Sequence, residues 1–585
     1  MAILTKNTNH FSVSAAIRIL VWVLALCMFA SGCSFSAPPV PTESTAIPTA
    51  SETTAPPPTT EAPTTEPPHH WEIGYISTLE LDAAYCDEAG TPLGTFIRGT
   101  QVEYELTPEG KTSILLDDTI VYLQEGASVV PNVFDVIPSH TLYVRTTVNL
   151  RDLDGNPLSP LAEKGSAVEV IGYSTLLEDG SAQMYFVDLG GEAGYILPWY
   201  LTDSEAEALA NYDSGSYAIH EARPNRYGGG GAADLDYYPR EKGAIPGNDM
   251  PEECRTLYLT GWCLEQVDAY IEIANNSGIN AFVVDIVDGA SVGYAADVMQ
   301  LHCPSGAASA HNTAEAYQAA IRKLKDAGYY VIGRITTFND ANFVKDHPEY
   351  AITNLSGEPF KLSGAYWVTP YNREVWQYKV ALAVEAVELM GFNEIQFDYV
   401  RFPDLTQRYE NAGTIDFHNT YGESKAQAIQ RFLMYATDIL HQHGAYVSAD
   451  VYGESAYTYV TAYGQYWPAI SNVVDVISGM PYPDHFSASG TWLPWEHPYE
   501  TLYNWGQCVT ARQSETATPA AVRTWIQAYN AIREPYNTYG PNEVAAQIRG
   551  LRNSGCTGGY MTWNSGSSLD KYTRLMPAFA PPEGT

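Results

Sequence analysis

Between residues 264 and 564 one pattern recurs five times: a helical stretch stops at a glycine and a short apolar run follows at once. The glycines are Gly278, Gly328, Gly391, Gly444 and Gly555, in stretches such as KDAGYYVIGRI and HQHGAYVSADV. Glycine just past a helix can take the left-handed backbone that closes the last turn. An apolar run without alternation reads as a strand buried on both faces, as the strands of a parallel sheet are. Helix–glycine–strand, repeated, predicts stacked βα units that close into a (β/α)8 TIM barrel.

The expected strands are 255–262, 280–288, 330–338, 394–402, 445–453, 473–482, 523–530 and 558–564. Between them run helical stripes such as Tyr317, Ala320, Ile321 and Leu324, spaced three and four apart. The barrel is expected over 254–578. Residues at the C-terminal ends of barrel strands line the active site, and Asp285, Asp398 and Asp450 fall near such ends.

The chain holds 585 residues, enough for two to four domains. Its net charge of −37 argues against nucleic acid, which needs clustered Lys and Arg, and against a charge-driven membrane contact. Residues 1–32 read as an export signal: Lys6 and Arg18, then an apolar run from Ile19 to Ala30. The ending ASGC resembles a bacterial lipobox, which implies cleavage before Cys33 and a lipid on its sulfur. Ordinary cleavage and secretion is the alternative. Residues 33–70, rich in Pro and Thr, cannot bury a core and read as a disordered stalk. Membrane contact is expected through the lipid anchor only, at the outer face of the cell membrane.

Residues 71–203 carry an internal repeat, with a Gly-x-Pro-Leu-type turn and an alternating strand in each copy (87–105 and 152–171). Short alternating strands between Gly/Pro turns predict two small all-β domains, 71–136 and 140–203. TVNLRD (147–152) and AGYILPWYL (193–201) resemble bacterial SH3-like domains. That resemblance implies attachment to cell-wall glycan, or a spacer. Residues 204–253 read as a linker with ordered parts.

Walker and H-E-x-x-H patterns are lacking, and no C-x-x-C pair occurs among the cysteines after Cys33. No metal and no cofactor is expected. Those cysteines could pair as disulfides in an exported chain or sit as buried thiols.

Several strand-end motifs, in order, resemble one family: YVIGRITTFND (330–340), IQFDYVRFP (395–403), VSADVYG (447–453), GMPYPDHF (479–486) and TWIQAYN (524–530). They look like a bacterial glycosyl hydrolase domain family, distantly similar to α-amylase-type barrels. The resemblance spans roughly 254–570. It implies a TIM barrel, glycosidase activity, a carbohydrate substrate, and a nucleophile at the end of strand four, Asp398. The chain departs from the family pattern at Asp484, where a smaller residue is expected, and at Phe486, where Tyr is expected.

Glycoside hydrolysis commonly uses two carboxyl groups, one ionised and one protonated. On a pleated strand Gln396 and Asp398 share a face. Arg401 is expected to hold Asp398 ionised. Asp450, ending the adjacent strand, is the expected acid/base, with Glu454 as its rival. Asp285 and Asp288 either hold sugar hydroxyls or bond Arg334. Arg334, Arg401, Tyr482, His485, Gln527, Trp563 and Asn564 are expected to bind substrate beside Asp285. A strand-end Asp can equally cap the next helix. The reading is a cell-surface glycoside hydrolase with retention. The alternative is a glycan-binding or wall-anchoring surface lipoprotein without turnover.

Overall fold

The structure, a computed structural model, describes residues 69–210, 228–362 and 364–579. The export signal, Cys33 and the stalk up to Pro68 lie outside the described residues. The described residues form one compact unit.

Two antiparallel seven-stranded sheets come first. One runs from Glu72–Thr78 to Ala127–Val130, the other from His140–Val144 to Leu201–Thr202. Counting strands from one to seven within each, both sheets have the order 3-2-6-5-4-1-7. The repeat in the sequence is therefore a repeat of one topology. A buried Arg98 joins the two sheets by donating from Nε to Gly180 O at 2.8 Å.

The rest is mixed α/β, built on nine parallel strands: β1 Cys254–Leu259, β2 Ala281–Asp288, β3 Tyr330–Thr336, β4 Glu394–Asp398, β5 Tyr446–Tyr452, β6 Val476–Met480, β7 Ala521–Val522, β8 Thr524–Gln527 and β9 Gly559–Trp563. They hydrogen-bond in the order β7-β6-β5-β4-β3-β2-β1-β9-β8. The two ends of that list are halves of one stretch, parted by Arg523, whose N–H donates to Ile477 O on β6. The sheet curls into a nearly closed barrel. The expected seventh strand, 523–530, contains β8, which pairs with β9, while the two residues of β7 just ahead of it pair with β6.

Helices separate the strands: α1 Val267–Asn275, α2 Ala314–Asp326, α3 Arg373–Glu385, α4 Lys425–Gln442, α5 Trp467–Ser471, α6 Pro498–Ser514 and α7 Pro541–Asn553. The expected stripe of α2 is buried: Tyr317, Ala320, Ile321 and Leu324. Ser424 caps α4 in a reciprocal box with Gln427. Gly328, Gly391, Gly444 and Gly555 take positive φ of 76° to 94°, as expected. Gly278 does not, because α1 already ends at Asn275 and its last turn is closed by the N–H of Asn276.

Alternation along the strands splits two cores. Ile395 and Phe397 of β4 face outward, where Phe397 meets Phe432 of α4 edge-on. Inside the barrel, Tyr258, Val283, Ile332, Trp525 and Met561 pack together. Toward the N-terminal ends of the strands the interior closes on a buried ion pair, Arg523 Nη1 to Glu394 Oε1 at 2.7 Å, with Tyr330 O–H on Oε2. This pair seals the floor and leaves the opposite end open to chemistry.

The second small sheet shares its apolar core with the barrel, while the first has its own. Asp438 on α4 fastens the second sheet. Its carboxylate accepts from Arg151 Nη2 (3.0 Å) and the Tyr200 hydroxyl (2.6 Å), and it pairs with Arg240. All six cysteines among the described residues are free thiols, five of them buried.

Candidate active site

At the C-terminal ends of the strands lies a cavity of about 190 Å³. That is the bulk of about six waters at about 30 Å³ each, comparable to one sugar ring. Asp398 and Arg334 line it from β4 and β3, and Trp525 and Trp563 from β8 and β9. Tyr482 and His485 enter from the turn after β6. Arg401, Tyr399, Tyr452 and Met480 complete it. A larger cavity, about 650 Å³, lies between Asn156 with the start of the strand Pro157–Ala162 and α3. It contains none of the expected site residues, so size alone does not mark the site.

Arg334 organises the charges. Its side chain is 1 % exposed. Nη1 donates to Asp285 Oδ1 at 2.6 Å, while Nη2 and Nε reach Asp398 Oδ2 at 2.6 and 3.1 Å. Asp288 Oδ1 lies 3.3 Å from both Nη atoms, and Asp450 Oδ2 is 3.9 Å from Nε. Burial works against this guanidinium, but Asp285, Asp398 and Asp288 together raise its pKa well above the ordinary value. It is the fixed cation of the site. The planar fork of arginine suits several carboxylates at once.

Asp398 ends β4 and is nearly buried. Its Oδ1 accepts the N–H of Tyr399 at 2.5 Å. Tyr399 has φ +48°, the left-handed region that a bulky side chain adopts at a cost. The strained turn folds the backbone back onto the carboxylate and fixes its direction.

The cation at Asp398 is thus Arg334, not Arg401 as the sequence suggested. Arg401 turns to the Tyr452 hydroxyl at 2.5 Å and to Phe402 O at 2.9 Å. Its nearness, three residues beyond Asp398, is overruled because β4 ends at Asp398 and the chain leaves the pleat.

Asp450 is sealed, with 0 % of its side chain exposed. Oδ1 accepts from Trp525 Nε1 at 2.7 Å, and Oδ2 has no hydrogen-bond partner. Burial first, then the charge of Asp398, raises its pKa well above the ordinary carboxyl value. It lies behind the cavity wall, where its charged form is disfavoured, and is not part of the lining. A leaving group in the cavity has no direct route to it. Glu454 is held by the hydroxyls of Tyr459 and Tyr463 and does not line the cavity either.

Asp285 is also behind the lining, clasped by Arg334 and the Tyr258 hydroxyl. Gln527 is fully buried and accepts the N–H of Asp484. Asn564 sits buried at the end of β9, outside the lining. Six expected residues therefore meet at one cavity: Asp398, Arg334, Arg401, Tyr482, His485 and Trp563. Asp450, Asp285, Gln527 and Asn564 stand behind it or beside it.

Sequence reasoning missed Tyr258 and Trp525. Tyr258 packs against Trp563 with ring centroids 4.7 Å apart, and Trp525 meets Trp563 at 90°. Strand parity carried the signal, since Trp525 and Gln527 share a face.

Burial lifts the Asp285 carboxyl to about 7, against the pull of Arg334. From about pH 3.9, where an unfolded Asp ionises, up to about 7 the folded chain keeps a proton that the unfolded chain has lost. Stability therefore falls as pH rises through this window, by up to about 1.4 kcal/mol per unit. Asp285→Asn is expected to flatten that fall, read from urea midpoints at pH 5 and pH 7.5.

A parallel barrel with carboxylates, an arginine and aromatic faces at its strand ends is the arrangement of a glycoside-hydrolase-type enzyme. The chain belongs to the family described as "Putative glycosyl hydrolase domain", whose model matches residues 256–569. A hypothetical protein from Ruminiclostridium thermocellum is 33% identical, covering 33% of this chain and 97% of its own, with a TM-score of 0.28. The chitobiase of Flavobacterium johnsoniae is 12% identical over 57% of this chain and 48% of its own (TM-score 0.35). A maltogenic α-amylase from Thermotoga neapolitana is 11% identical over 57% of this chain and 72% of its own (TM-score 0.33). No curated protein matches the chain.

Proposed function

We propose that the barrel, of the (β/α)8 type, hydrolyses O-glycosidic bonds of an oligo- or polysaccharide with retention, and that Asp398 is the nucleophile. One observation carries this. Asp398 is the one carboxylate among the described residues lining the cavity, and it is aimed by Arg334 and by the Tyr399 N–H. Trp525, Trp563 and Tyr482 offer apolar faces on which a sugar ring can stack. The test is reducing-sugar release by the full chain from α-glucans, β-glucans, chitin oligomers and peptidoglycan. Binding without release from any of them would favour the non-catalytic, glycan-binding reading.

Asp450, sealed behind Trp525 where its charged form is disfavoured, supports the site without giving or taking the proton. Asp450→Asn keeps the volume of the side chain and removes its acid. Its loss of kcat is expected to stay well below the roughly 10²- to 10⁴-fold that removal of an acid/base brings. A loss in that range would restore Asp450 to the acid/base role.

We further propose that the enzyme works at the cell surface, anchored through lipid on Cys33, with the two SH3-like sheets between stalk and barrel available to wall glycan. The ASGC ending and the Pro/Thr-rich segment support this. Cys33→Ser is expected to abolish labelling by a palmitate analogue and shift the protein from the membrane fraction to the medium. Unchanged labelling would refute the anchor.

A further inference from the structure

A nucleophile at Asp398 needs a group that first gives a proton to the leaving oxygen and then takes one from water. Asp450 does not reach the cavity. His485 does, and its side chain is 57 % exposed. It ends the short turn Pro483–His485 that follows β6, with its ring beside Tyr482 at 5.2 Å. Its Nδ1 lies 2.8 Å from Asp484 Oδ1.

The side chain of Asp484 is fully buried. Its Oδ1 also accepts the Tyr529 hydroxyl at 2.9 Å, and Oδ2 accepts the Ile532 N–H at 3.2 Å. Burial is the largest influence on this carboxyl and opposes its charge, yet His485, Tyr529 and Ile532 together hold its pKa below the ordinary value. An ionised, immobile carboxylate on Nδ1 fixes the imidazole tautomer. Nε2 is then the nitrogen left for the cavity that the ring lines. A histidine that merely packed at the rim would not need a buried acid with three donors behind it.

We propose that His485, oriented by Asp484, is the general acid and base of the hydrolysis. This rests on the reading of Asp398 as nucleophile. As Asp398 bonds to the anomeric carbon, the bond to the glycosidic oxygen breaks and that oxygen takes the Nε2 proton, leaving as an alcohol. Water then attacks the anomeric carbon and gives a proton to Nε2, while the bond to Asp398 breaks and restores the carboxylate. Asp484 is a positioning residue. The other ionisable groups around the imidazole are Tyr482 and Tyr529, Arg533 (which donates to Phe486 O), and Asp398, Arg334, Arg401, Tyr399 and Tyr452 in the shared lining.

The experiment compares full-length wild type, His485→Gln, Asp484→Asn and Asp398→Asn on 2,4-dinitrophenyl and phenyl glycosides of glucose, galactose and N-acetylglucosamine in both anomers. His485→Gln is expected to lose about 10²- to 10⁴-fold in kcat/KM on the phenyl glycoside, and far less on the dinitrophenyl one, whose leaving group needs no proton. Azide is expected to speed His485→Gln on the dinitrophenyl glycoside and give a glycosyl azide. Asp484→Asn is expected to lose kcat/KM on the phenyl glycoside and far less on the dinitrophenyl one, because the imidazole loses the carboxylate that orients it. Equal losses on both leaving groups without azide rescue, or wild-type rates, would overturn the assignment while an inactive Asp398→Asn leaves the nucleophile standing. A fully active Asp398→Asn, or a wild type that turns over none of the glycosides, would overturn both.

Discussion

Replacing Asp398 with Asn is expected to lower kcat by at least about a thousandfold, close to 4 kcal/mol of barrier, on whichever glycan the wild type cleaves. The change removes one charge and almost no volume. Asn can still accept the Tyr399 N–H, and Arg334 keeps Asp285 and Asp288 as partners, so the barrel stays folded. What disappears is the oxygen proposed to attack, which an amide does not replace. Near-normal KM with collapsed kcat in steady-state kinetics is the expected signature, as for an interaction made only on the way to the transition state. Equal sugar release by the two proteins would remove Asp398 from the mechanism and leave the cavity without a nucleophile.

The second large effect is on stability. Arg334→Met is expected to cost about 3–5 kcal/mol, read as a lower urea midpoint at pH 7. Methionine fills much of the arginine's volume but leaves Asp285 and Asp398 in the barrel without their cation. Removing one partner of a buried pair is worse than removing both, because the remaining charge has no water to return to. Arg334→Lys is expected to recover only part of the loss, since one ammonium cannot present separate donors to Asp285 and Asp398 in the geometry of the fork. A midpoint within experimental error of wild type would show that the carboxylates take up protons at no cost, and that Arg334 does not hold the site together.

The barrel and its working end were legible because they rest on local signals. Glycines after helices, apolar runs and two-residue alternation put Asp398, Trp563 and Arg334 on inward faces at strand ends. The failures are failures of register and depth. Nothing local says that Arg334 of β3, rather than the nearby Arg401, faces Asp398, because that depends on how adjacent strands are staggered: Thr336, not Arg334, is the register partner of Asp398. Nor does alternation say how deep an inward residue sits. Asp450 and Asp398 occupy equivalent faces of neighbouring strands, yet one lines the cavity and the other is sealed behind Trp525. The weight of His485 was visible as a loop residue after a strand, but its buried partner registered only as a departure from the family pattern. Gly278 misled because a helix can close its last turn without a left-handed residue.

Asp438 bears on where this protein can be cut or recombined. A piece beginning at residue 254 would keep Asp438 on α4 while discarding Arg151, Tyr200 and Arg240, and would bare the apolar face that the second sheet covers. The boundary visible as a linker in the sequence is thus no seam for expression or for shuffling. The smallest portable unit begins ahead of residue 140, and the second sheet and the barrel travel through any exchange between genes as one piece.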